Sequence, residues 1–354
     1  PVSATVWQFW AAVTGGSAVF TDSGQSLGIS NTYGVALGDL DGDEHLDAFV
    51  ANWEANEVWL NDGAGHFGDG HHQRLGSSES WDVALGDLNG DGYLDAFVAN
   101  RRLTNTVWLN DGSGSFDNSR QAPSSSPSCA VALGDLDGDG DLDAFVANWE
   151  YNEIWLNDGT GDFEDSGQRL GNSDSWDVAL GDLNGDGYLD AFVANGTVSS
   201  TVWLNDGSGD FGDRPHQRLG SSFSWAVALG DVDNDSHLDA FVANWGPNEV
   251  WLNDGTGHFD DSGQRLDTSY SQAVALGDVD DDGNLDAFVA NAGANKVWLN
   301  DGGNFVDSHQ RLGSSVSKEV GLLWLQRQLR GTGHTRLDSS VSRDVELGDV
   351  DGDG

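Results

Sequence analysis

The feature that most constrains this chain is an acidic loop that recurs at a near-constant spacing. The stretch GDLNGDGYLD occurs at Gly86–Asp95 and again at Gly181–Asp190. The first aspartates of six such loops are separated by 48, 48, 47, 49 and 47 residues, and lie at Asp39, Asp87, Asp135, Asp182, Asp231 and Asp278. A seventh loop begins at Asp349, after a longer step of 71 residues. A period near 48 with strand-like content is typical of a four-stranded propeller blade.

The contents of one repeat support that prediction. Residues 82–109 read DVALGDLNGDGYLDAFVANRRLTNTVWL. VALGD is a short run of small and β-branched residues, LDAFVAN alternates as a strand does, and TVWLN is rich in β formers. The following NDGSGSF suits a tight hairpin that leads into a fourth strand. We therefore predict an all-β fold, a β-propeller of four-stranded blades with the acidic loop between strands one and two.

The chain divides into six full repeats and several partial ones, which we expect to form a single propeller over residues 1–354. The full repeats cover about 33–75, 81–122, 129–170, 176–219, 225–266 and 272–312. Residues 5–28 match the second half of a repeat and 343–354 the first half, so joining them into one blade would close the ring. Neither half supplies an LDAFVAN strand, and 317–337 resembles a degenerate repeat. Seven blades are expected, with eight as the alternative.

Composition narrows the possible partners. The 59 acidic residues against 15 lysines and arginines give a formal net charge of -44, which repels nucleic acid and anionic membranes and attracts cations. Aromatic residues make up 10% of the chain, which favours a folded core over disorder. The single Cys129 excludes an intramolecular disulfide. The chain starts with Pro1 and lacks methionine, which suggests a mature product or a fragment, and no apolar run is long enough to insert into a membrane.

The spacing of carboxylates within each loop points to calcium. Side-chain oxygens at positions 1, 3, 5 and 9, with a backbone carbonyl at position 7, can surround one hard cation, and calcium accepts six to eight oxygens in irregular geometry. Magnesium prefers fewer protein ligands, and zinc prefers histidine and cysteine. The expected ligands are Asp39, Asp41, Asp43, His45 and Asp47; Asp87, Asn89, Asp91, Tyr93 and Asp95; Asp135, Asp137, Asp139, Asp141 and Asp143; Asp182, Asn184, Asp186, Tyr188 and Asp190; Asp231, Asp233, Asp235, His237 and Asp239; Asp278, Asp280, Asp282, Asn284 and Asp286; and Asp349, Asp351 and Asp353.

Position 6 of the loop is expected to turn sharply. Glycine occupies it in four loops, at Gly92, Gly140, Gly187 and Gly283, whereas Glu44 and Ser236 replace it in loops one and five. We expect strain or weaker binding in those two loops. About six or seven calcium ions are expected in all, and the protein without metal should be destabilised because its crowded carboxylates repel one another.

These residues resemble a known repeat family. The loop D-x-[DN]-x-D-G-x-L-D between strands, repeated every 48 residues, is similar to the FG-GAP/VCBS repeats that build the β-propeller head of integrin α chains and certain propeller lectins. The Phe-Gly signature is loose and is seen at Phe67-Gly68 and Phe211-Gly212. The resemblance covers about residues 5–312 and the last twelve residues. It implies adhesion or ligand binding outside the cell or at its surface, without catalysis.

Tryptophan is distributed in two ways. One tryptophan recurs in the third strand of every repeat and is expected to pack between blades; these are Trp7, Trp59, Trp108, Trp155, Trp203, Trp251 and Trp298. Six others lie at the opposite ends of the strands from the acidic loops, in two places in the repeat. Trp53, Trp149 and Trp245 follow VAN, while Trp81, Trp176 and Trp225 precede strand one. Contacts of Trp53 with Trp81 and of Trp149 with Trp176 would make a platform for sugar rings; the alternative is that these residues cap the blade interface and bind nothing.

Three functions fit the sequence, and none is enzymatic. The first is an extracellular or cell-surface, calcium-binding propeller that mediates adhesion by recognising glycan or protein ligands. The second is the subunit of an extracellular filament or surface layer, self-associating through its incomplete blade. The third is a non-catalytic module of a larger secreted enzyme.

Overall fold

The computed structural model describes residues 30–68, 72–124 and 126–312, together with the backbone of five short strands nearer the two ends. Helix is absent from these described residues, and all of their regular structure is β-strand. The predicted all-β class is therefore confirmed. None of this part of the chain forms a helix long and apolar enough to cross a membrane.

Six consecutive sheets, each of four strands, make up the body of the molecule. They follow β1 (Phe9–Ala12) and β2 (Phe20–Asp22). Sheet one contains β3 (Thr32–Gly38), β4 (Asp47–Asn52), β5 (Asn56–Trp59) and β6 (Gln73–Leu75). Sheet two contains β7 (Ser80–Gly86), β8 (Asp95–Asn100), β9 (Thr106–Asn110) and β10 (Phe116–Asn118). Sheet three contains β11 (Ser128–Gly134), β12 (Asp143–Asn148), β13 (Glu153–Asn157) and β14 (Phe163–Asp165).

The remaining sheets repeat the same plan. Sheet four contains β15 (Ser175–Gly181), β16 (Asp190–Asn195), β17 (Ser200–Trp203) and β18 (Gln217–Leu219). Sheet five contains β19 (Ser224–Gly230), β20 (Asp239–Asn244), β21 (Asn248–Asn253) and β22 (Phe259–Leu266). Sheet six contains β23 (Ser271–Gly277), β24 (Asp286–Asn291), β25 (Lys296–Asn300) and β26 (Phe305–Asp307). The strands β27 (Val320–Leu323), β28 (Leu325–Gln326) and β29 (Val345–Leu347) follow.

Strand order within each sheet follows chain order, and all neighbours are antiparallel. The second strand of every sheet reads DAFVAN and is buried at all six positions. A strand buried on both faces requires a neighbouring sheet on each side. The first strands of successive sheets lie next to one another, and they surround a central cavity of about 420 Å³.

Adjacent sheets are joined by a repeated set of contacts. From sheet one to sheet five, a phenylalanine of the second strand meets a phenylalanine in or before the fourth strand of the next sheet edge to face, as in Phe49–Phe116 at 5.4 Å between ring centroids. A glutamine after or within each fourth strand holds the next sheet by its backbone: Gln217 Nε2 donates to Phe259 O and Gln217 Oε1 accepts from Phe259 N, both at 2.8 Å. Each sheet is thus bonded to its successor at both its apolar centre and its outer edge.

The two ends of the chain meet beside sheets one and six. β29 lies next to β3 and β23, and it pairs in parallel with β27. β28 pairs in parallel with β1, which is antiparallel to β2. The strands β27 and β28 belong to neither predicted half repeat but to the predicted degenerate repeat 317–337, and they pair beside β29 and β1 in the position of a second strand. These strands run parallel since no hairpin ties them to their neighbours.

The other residues of the predicted partial repeats, 5–28, 317–337 and 343–354, lie outside the described residues. The same is true of the seventh acidic loop with Asp349, Asp351 and Asp353, and of Trp7.

Replacing Gln217 with alanine should weaken the junction between sheets four and five. The backbone N–H and C=O of Phe259 would lose their partners, which costs about 1–3 kcal/mol of unfolding free energy. Urea denaturation of Gln217→Ala measures this loss. The control is Arg218→Ala, whose side chain is exposed; equal denaturation midpoints for the two variants would contradict the role given to Gln217.

Candidate cation loops and aromatic face

The acidic loop folds around the carboxylate at its first position. In loop two, Asp87 Oδ1 accepts hydrogen bonds from the N–H groups of Gly90 and Asp91 at 2.8 and 3.1 Å, and Asp87 Oδ2 accepts one from Gly92 at 2.9 Å. Asn89 Oδ1 accepts from Asp91 N, and Asp91 Oδ1 accepts from Tyr93 N. The side chains at positions 1, 3 and 5 therefore turn their oxygens toward the inside of one tight loop.

The aspartate at position 9 is the anchor of the loop. It starts the second strand and is fully buried in all six sheets, at Asp47, Asp95, Asp143, Asp190, Asp239 and Asp286. In loop one, Asp47 Oδ2 accepts from Leu40 N at 2.9 Å and Asp47 Oδ1 accepts from Asn61 N, at the start of the hairpin to the fourth strand, at 2.7 Å. Burial raises the pKa of Asp47 to about 7 and that of its five equivalents to about 6.

The donor set fits a hard cation. Four groups of three carboxylates bring their oxygens within 4.8 Å of one another: Asp39, Asp41 and Asp43; Asp135, Asp137 and Asp143; Asp231, Asp233 and Asp239; and Asp278, Asp280 and Asp282. Asp41 Oδ1 and Asp280 Oδ1 are buried and accept no hydrogen bond from the described residues. Burial and the adjacent carboxylates raise the pKa of Asp41, Asp137, Asp233 and Asp280. A divalent cation would supply the missing partner and remove the repulsion.

Loops two and four carry asparagine at position 3 in place of aspartate. In loop four Asn184 Nδ2 donates to Asp186 Oδ2 at 2.9 Å, so the amide already offsets part of the negative charge. The amide oxygen of Asn184 or Asn89 can still serve a calcium ion, with one formal charge fewer than in the other loops.

The predicted sharp turn at position 6 is present in all six loops. Gly92, Gly140, Gly187 and Gly283 have φ between 90° and 97°, while Glu44 and Ser236 are held at 70° and 74°. These last two side chains stand in the left-handed region that favours glycine. The expected strain in loops one and five is therefore visible in their backbones.

The side chain at position 7 turns away from the loop interior. His45, Tyr93 and His237 lie against Gly63, Gly112 and Gly255 of the hairpin that follows the third strand, so closely that a Cβ added to any of these glycines would clash with them. Their imidazole and phenol groups are therefore not presented to a cation. The backbone carbonyl of position 7 stays the ligand that the sequence predicts at this position.

An aromatic face lies at the opposite ends of the strands. In sheet two the first and second strands pair from Gly86↔Asp95, at the acidic loop, to Ser80↔Asn100, at the far end. A β-bulge interrupts the pairing beside Ser80, and the bulged residue is Trp81. The same irregularity occurs in every sheet and involves Tyr33, Trp81, Cys129, Trp176, Trp225 and Gln272, all of which line the central cavity. The bulge redirects one side chain per sheet toward the mouth of the channel.

Aromatic rings form a continuous arc around that mouth. Tyr33 stacks on Trp81 at 5.8 Å, Trp81 stacks on Trp176 at 5.4 Å, and Trp176 meets Trp225 at 4.3 Å. Sheet three, between Trp81 and Trp176, carries the small Cys129, which leaves room for the two indoles to meet. The arc continues through Phe223 to Trp245 and Tyr270. We call the set Tyr33, Trp53, Trp81, Trp149, Trp176, Phe223, Trp225, Trp245 and Tyr270 the aromatic arc.

The six predicted ligand tryptophans all belong to this arc but differ in exposure. Trp149 contacts Trp176 at 6.3 Å, as the sequence predicted, and Trp53 reaches Trp81 through Tyr33. Trp81 is only 5% exposed and supports the others, whereas Trp245 is 53% exposed and lies 4.5 Å from Tyr270, which is 48% exposed. The accessible surface of the arc is therefore greatest at its Trp245–Tyr270 end.

Sequence reasoning missed Tyr33, Arg101, Phe223 and Tyr270. Aligned positions could have identified two of them. Tyr33 stands two residues before the VALG strand, where Trp81 and Trp176 have tryptophan, and Arg101 follows VAN, where Trp53 and Trp149 do. Arg101 lies over the rings of Trp81 and Trp149, with its Cζ 4.7 and 4.8 Å from their centroids.

Comparison with known proteins places these features in a family. The FG-GAP-like repeat matches five overlapping segments, 39–98, 87–146, 135–193, 182–242 and 231–289. None of the curated protein sequences compared with the chain matches it.

Several solved structures share the fold. The BP39L lectin of Burkholderia pseudomallei is 15% identical with a TM-score of 0.61, over 85% of this chain and 90% of its own. A Lactobacillus plantarum protein is 14% identical with a TM-score of 0.59, over 84% and 89%. An Agrocybe aegerita lectin, which recognises non-reducing terminal N-acetylglucosamine, is 20% identical with a TM-score of 0.54, over 86% and 89%.

Substituting Ser236 by glycine should stabilise the protein by about 1 kcal/mol, because glycine adopts a positive φ without the Cβ penalty. The converse change, Gly187→Ser, should destabilise by a similar amount. A Cβ at Gly187 has no heavy atom within 4 Å, so its cost would be purely conformational. Urea denaturation without added metal measures both. A Ser236→Gly variant no more stable than the parent would show that loop five is not strained.

Proposed function

Because the chain belongs to the FG-GAP-like repeat family, we propose that it is a calcium-stabilised β-propeller that binds glycans outside the cell or at its surface. The observation that carries this proposal is the aromatic arc, which ends in the exposed Trp245–Tyr270 pair at the channel mouth. Exposed indole and phenol faces stack on the apolar faces of sugar rings, and neighbouring polar groups take the hydroxyls. The protein would act by binding, not by catalysis.

Calcium is assigned to the acidic loops on their chemistry. Each described loop offers side-chain oxygens at positions 1, 3, 5 and 9 and a backbone carbonyl at position 7, which suits a cation that accepts six to eight oxygens. Six such ions would occupy the described loops, and a seventh loop at Asp349 would raise the number to seven. Their role is structural, since the loops lie at the opposite ends of the strands from the aromatic arc.

Ring closure by seven blades belongs to the same proposal. β29 lies between the first strands of sheets six and one, and β27–β28, β1 and β2 extend outward from it. These strands would form a seventh, composite blade that covers the outer faces of sheets one and six. Eight blades would require a further sheet between those positions.

The alternatives differ in what favours them. A filament subunit was suggested by an unfilled second-strand position, and β27 and β28 pair in that place. A non-catalytic module of a larger secreted enzyme would also bind a ligand without catalysing a reaction, as the proposed glycan-binding propeller does. Two of the structural neighbours are lectins, which supports glycan over protein as the ligand.

Millimolar calcium should raise the melting temperature relative to EGTA. Each occupied site adds about 2.7 kcal/mol to the free energy of unfolding when the calcium concentration is 100 times the Kd. We expect a Kd of about 10⁻⁵ to 10⁻³ M, the range of an extracellular module. The gain should shrink between pH 7.5 and 5.5, because protonation of Asp47 and its equivalents, with pKa about 6 to 7, competes with the cation. Differential scanning calorimetry at both pH values measures this.

A matched pair of variants tests where calcium binds. Asp137→Ala removes a donor from loop three and should lower the number of calcium ions bound by one in isothermal titration calorimetry. Asp117→Ala removes an exposed carboxylate outside the loops and should leave the number unchanged. Identical melting temperatures in calcium and EGTA would refute the calcium assignment.

Removing the exposed aromatic pair should weaken glycan binding. Trp245→Ala and Tyr270→Ala each delete a stacking face, and binding to a glycan array should fall by at least about tenfold. Tyr188→Ala is the control, because Tyr188 is 45% exposed but lies on the acidic-loop face. Binding that survives Trp245→Ala and is lost in Tyr188→Ala would place the site on the other face.

A further inference from the structure

We propose that the aromatic arc selects acidic saccharides, with Arg101 as the residue that binds their carboxylate. This inference rests on the proposed function, glycan binding at the arc, and adds the class of sugar. It starts from an arginine that holds an unusual position in a strongly acidic protein.

Arg101 is surrounded by indoles. Its Cζ lies 4.7 Å from the ring centroid of Trp81, 4.8 Å from that of Trp149 and 5.8 Å from that of Trp53. The side chain is half-buried, and its backbone N–H donates to Glu79 O. The rings thus hold the guanidinium at one place on the arc through cation–π attraction.

No carboxylate of the described residues lies within 4 Å of the Arg101 guanidinium. The acidic side chain next to it, Glu79, forms an ion pair with Arg102 instead, at 3.0 Å. Arginines elsewhere are paired, as Arg169 is with Asp165 and Glu153, or exposed, as Arg120, Arg214 and Arg218 are. In a chain with a net charge of -44, a half-buried arginine without an acidic partner is a positive charge left for something else.

The chemistry of the guanidinium defines what it can bind. Stacking uses the faces of the group, whereas its N–H donors lie in the plane and match a carboxylate in a two-point contact. Trp149 Nε1, in the same cluster, is a buried donor without an acceptor among the described residues. Trp149 Nε1 and the in-plane N–H groups of Arg101 are thus donors that a negatively charged, acceptor-rich ligand would satisfy.

The neighbouring rings supply the rest of the recognition. Trp53, which is half-buried, also lies 5.7 Å from Arg102 Cζ, so a sugar stacked there would have its substituents beside two guanidinium groups. A uronic or sialic acid carries an apolar ring face and a carboxylate on one ring, and it would satisfy both features at once. A neutral sugar would leave Arg101 without a counter-ion and gain only the stacking.

The test compares the parent protein with Arg101→Gln, Arg101→Lys and the control Arg218→Gln. Each is applied at 0.15 M salt to an array in which uronic acid and sialylated saccharides stand beside their neutral counterparts. Hits are then titrated by calorimetry, with polyglutamate as an acidic probe that has no sugar ring. Thermal melting confirms that each variant is folded.

We expect acidic saccharides to bind about tenfold tighter than their neutral counterparts. Arg101→Gln should lose about tenfold to a hundredfold in affinity for the acidic member and little for the neutral one. Arg101→Lys should retain part of the preference, because lysine keeps the charge but not the planar two-point contact. Arg218→Gln should behave like the parent.

Other outcomes separate this inference from the proposed function. Binding of neutral saccharides only, or a preference for acidic ones that survives Arg101→Gln, overturns the role of Arg101 and leaves glycan binding intact. Polyglutamate that binds as tightly as the acidic saccharides would also overturn it, since charge alone would then be recognised. Binding of no saccharide at all overturns the proposed function and this inference together.

Discussion

The buried aspartate at the start of each second strand is the interaction on which the rest of the fold depends. Asp95 joins its own acidic loop, through Leu88 N, to the end of its third strand, through Asn110 N. The side chain of Asn110 then donates to Leu40 O in the preceding sheet, whose N–H is bound by Asp47. The same relay recurs from sheet to sheet. Burying this carboxylate is costly, but it connects the second strand, the acidic loop and the neighbouring sheet in one hydrogen-bond network.

That network explains why the acidic loops and the inter-sheet contacts occur together. The buried aspartate that completes a loop also positions the asparagine that bonds to the neighbouring sheet. A change in the charge of the loop should therefore alter the contact between the two sheets. At the other ends of the strands, bulges direct large rings toward the axis. The acidic loops and the aromatic arc therefore lie at opposite ends of the same strands.

The sequence was sufficient for everything that repeats within one blade. Period, strand order and the turn at position 6 all follow from residues less than about 50 positions apart. It was insufficient where neighbouring blades combine. The contacts of Arg101 and Tyr33 with Trp81 depend on how the sheets are arranged around the axis, which the sequence of one repeat does not show. Trp81 itself is buried by rings from other sheets. The parallel pairing of β27 and β28 was missed because a strand without a hairpin carries no local signal of its direction.

The stack of Trp81 on Trp176 has an optical consequence. These indoles come from sheets two and four, and they meet at 5.4 Å only across the small side chain in sheet three. Two indoles at that distance couple their ultraviolet transitions, and coupled transitions that are skewed to each other contribute a couplet to the circular dichroism of tryptophan. Because three sheets must be in register before the rings touch, the molecule carries a built-in spectroscopic marker of a correctly assembled channel mouth.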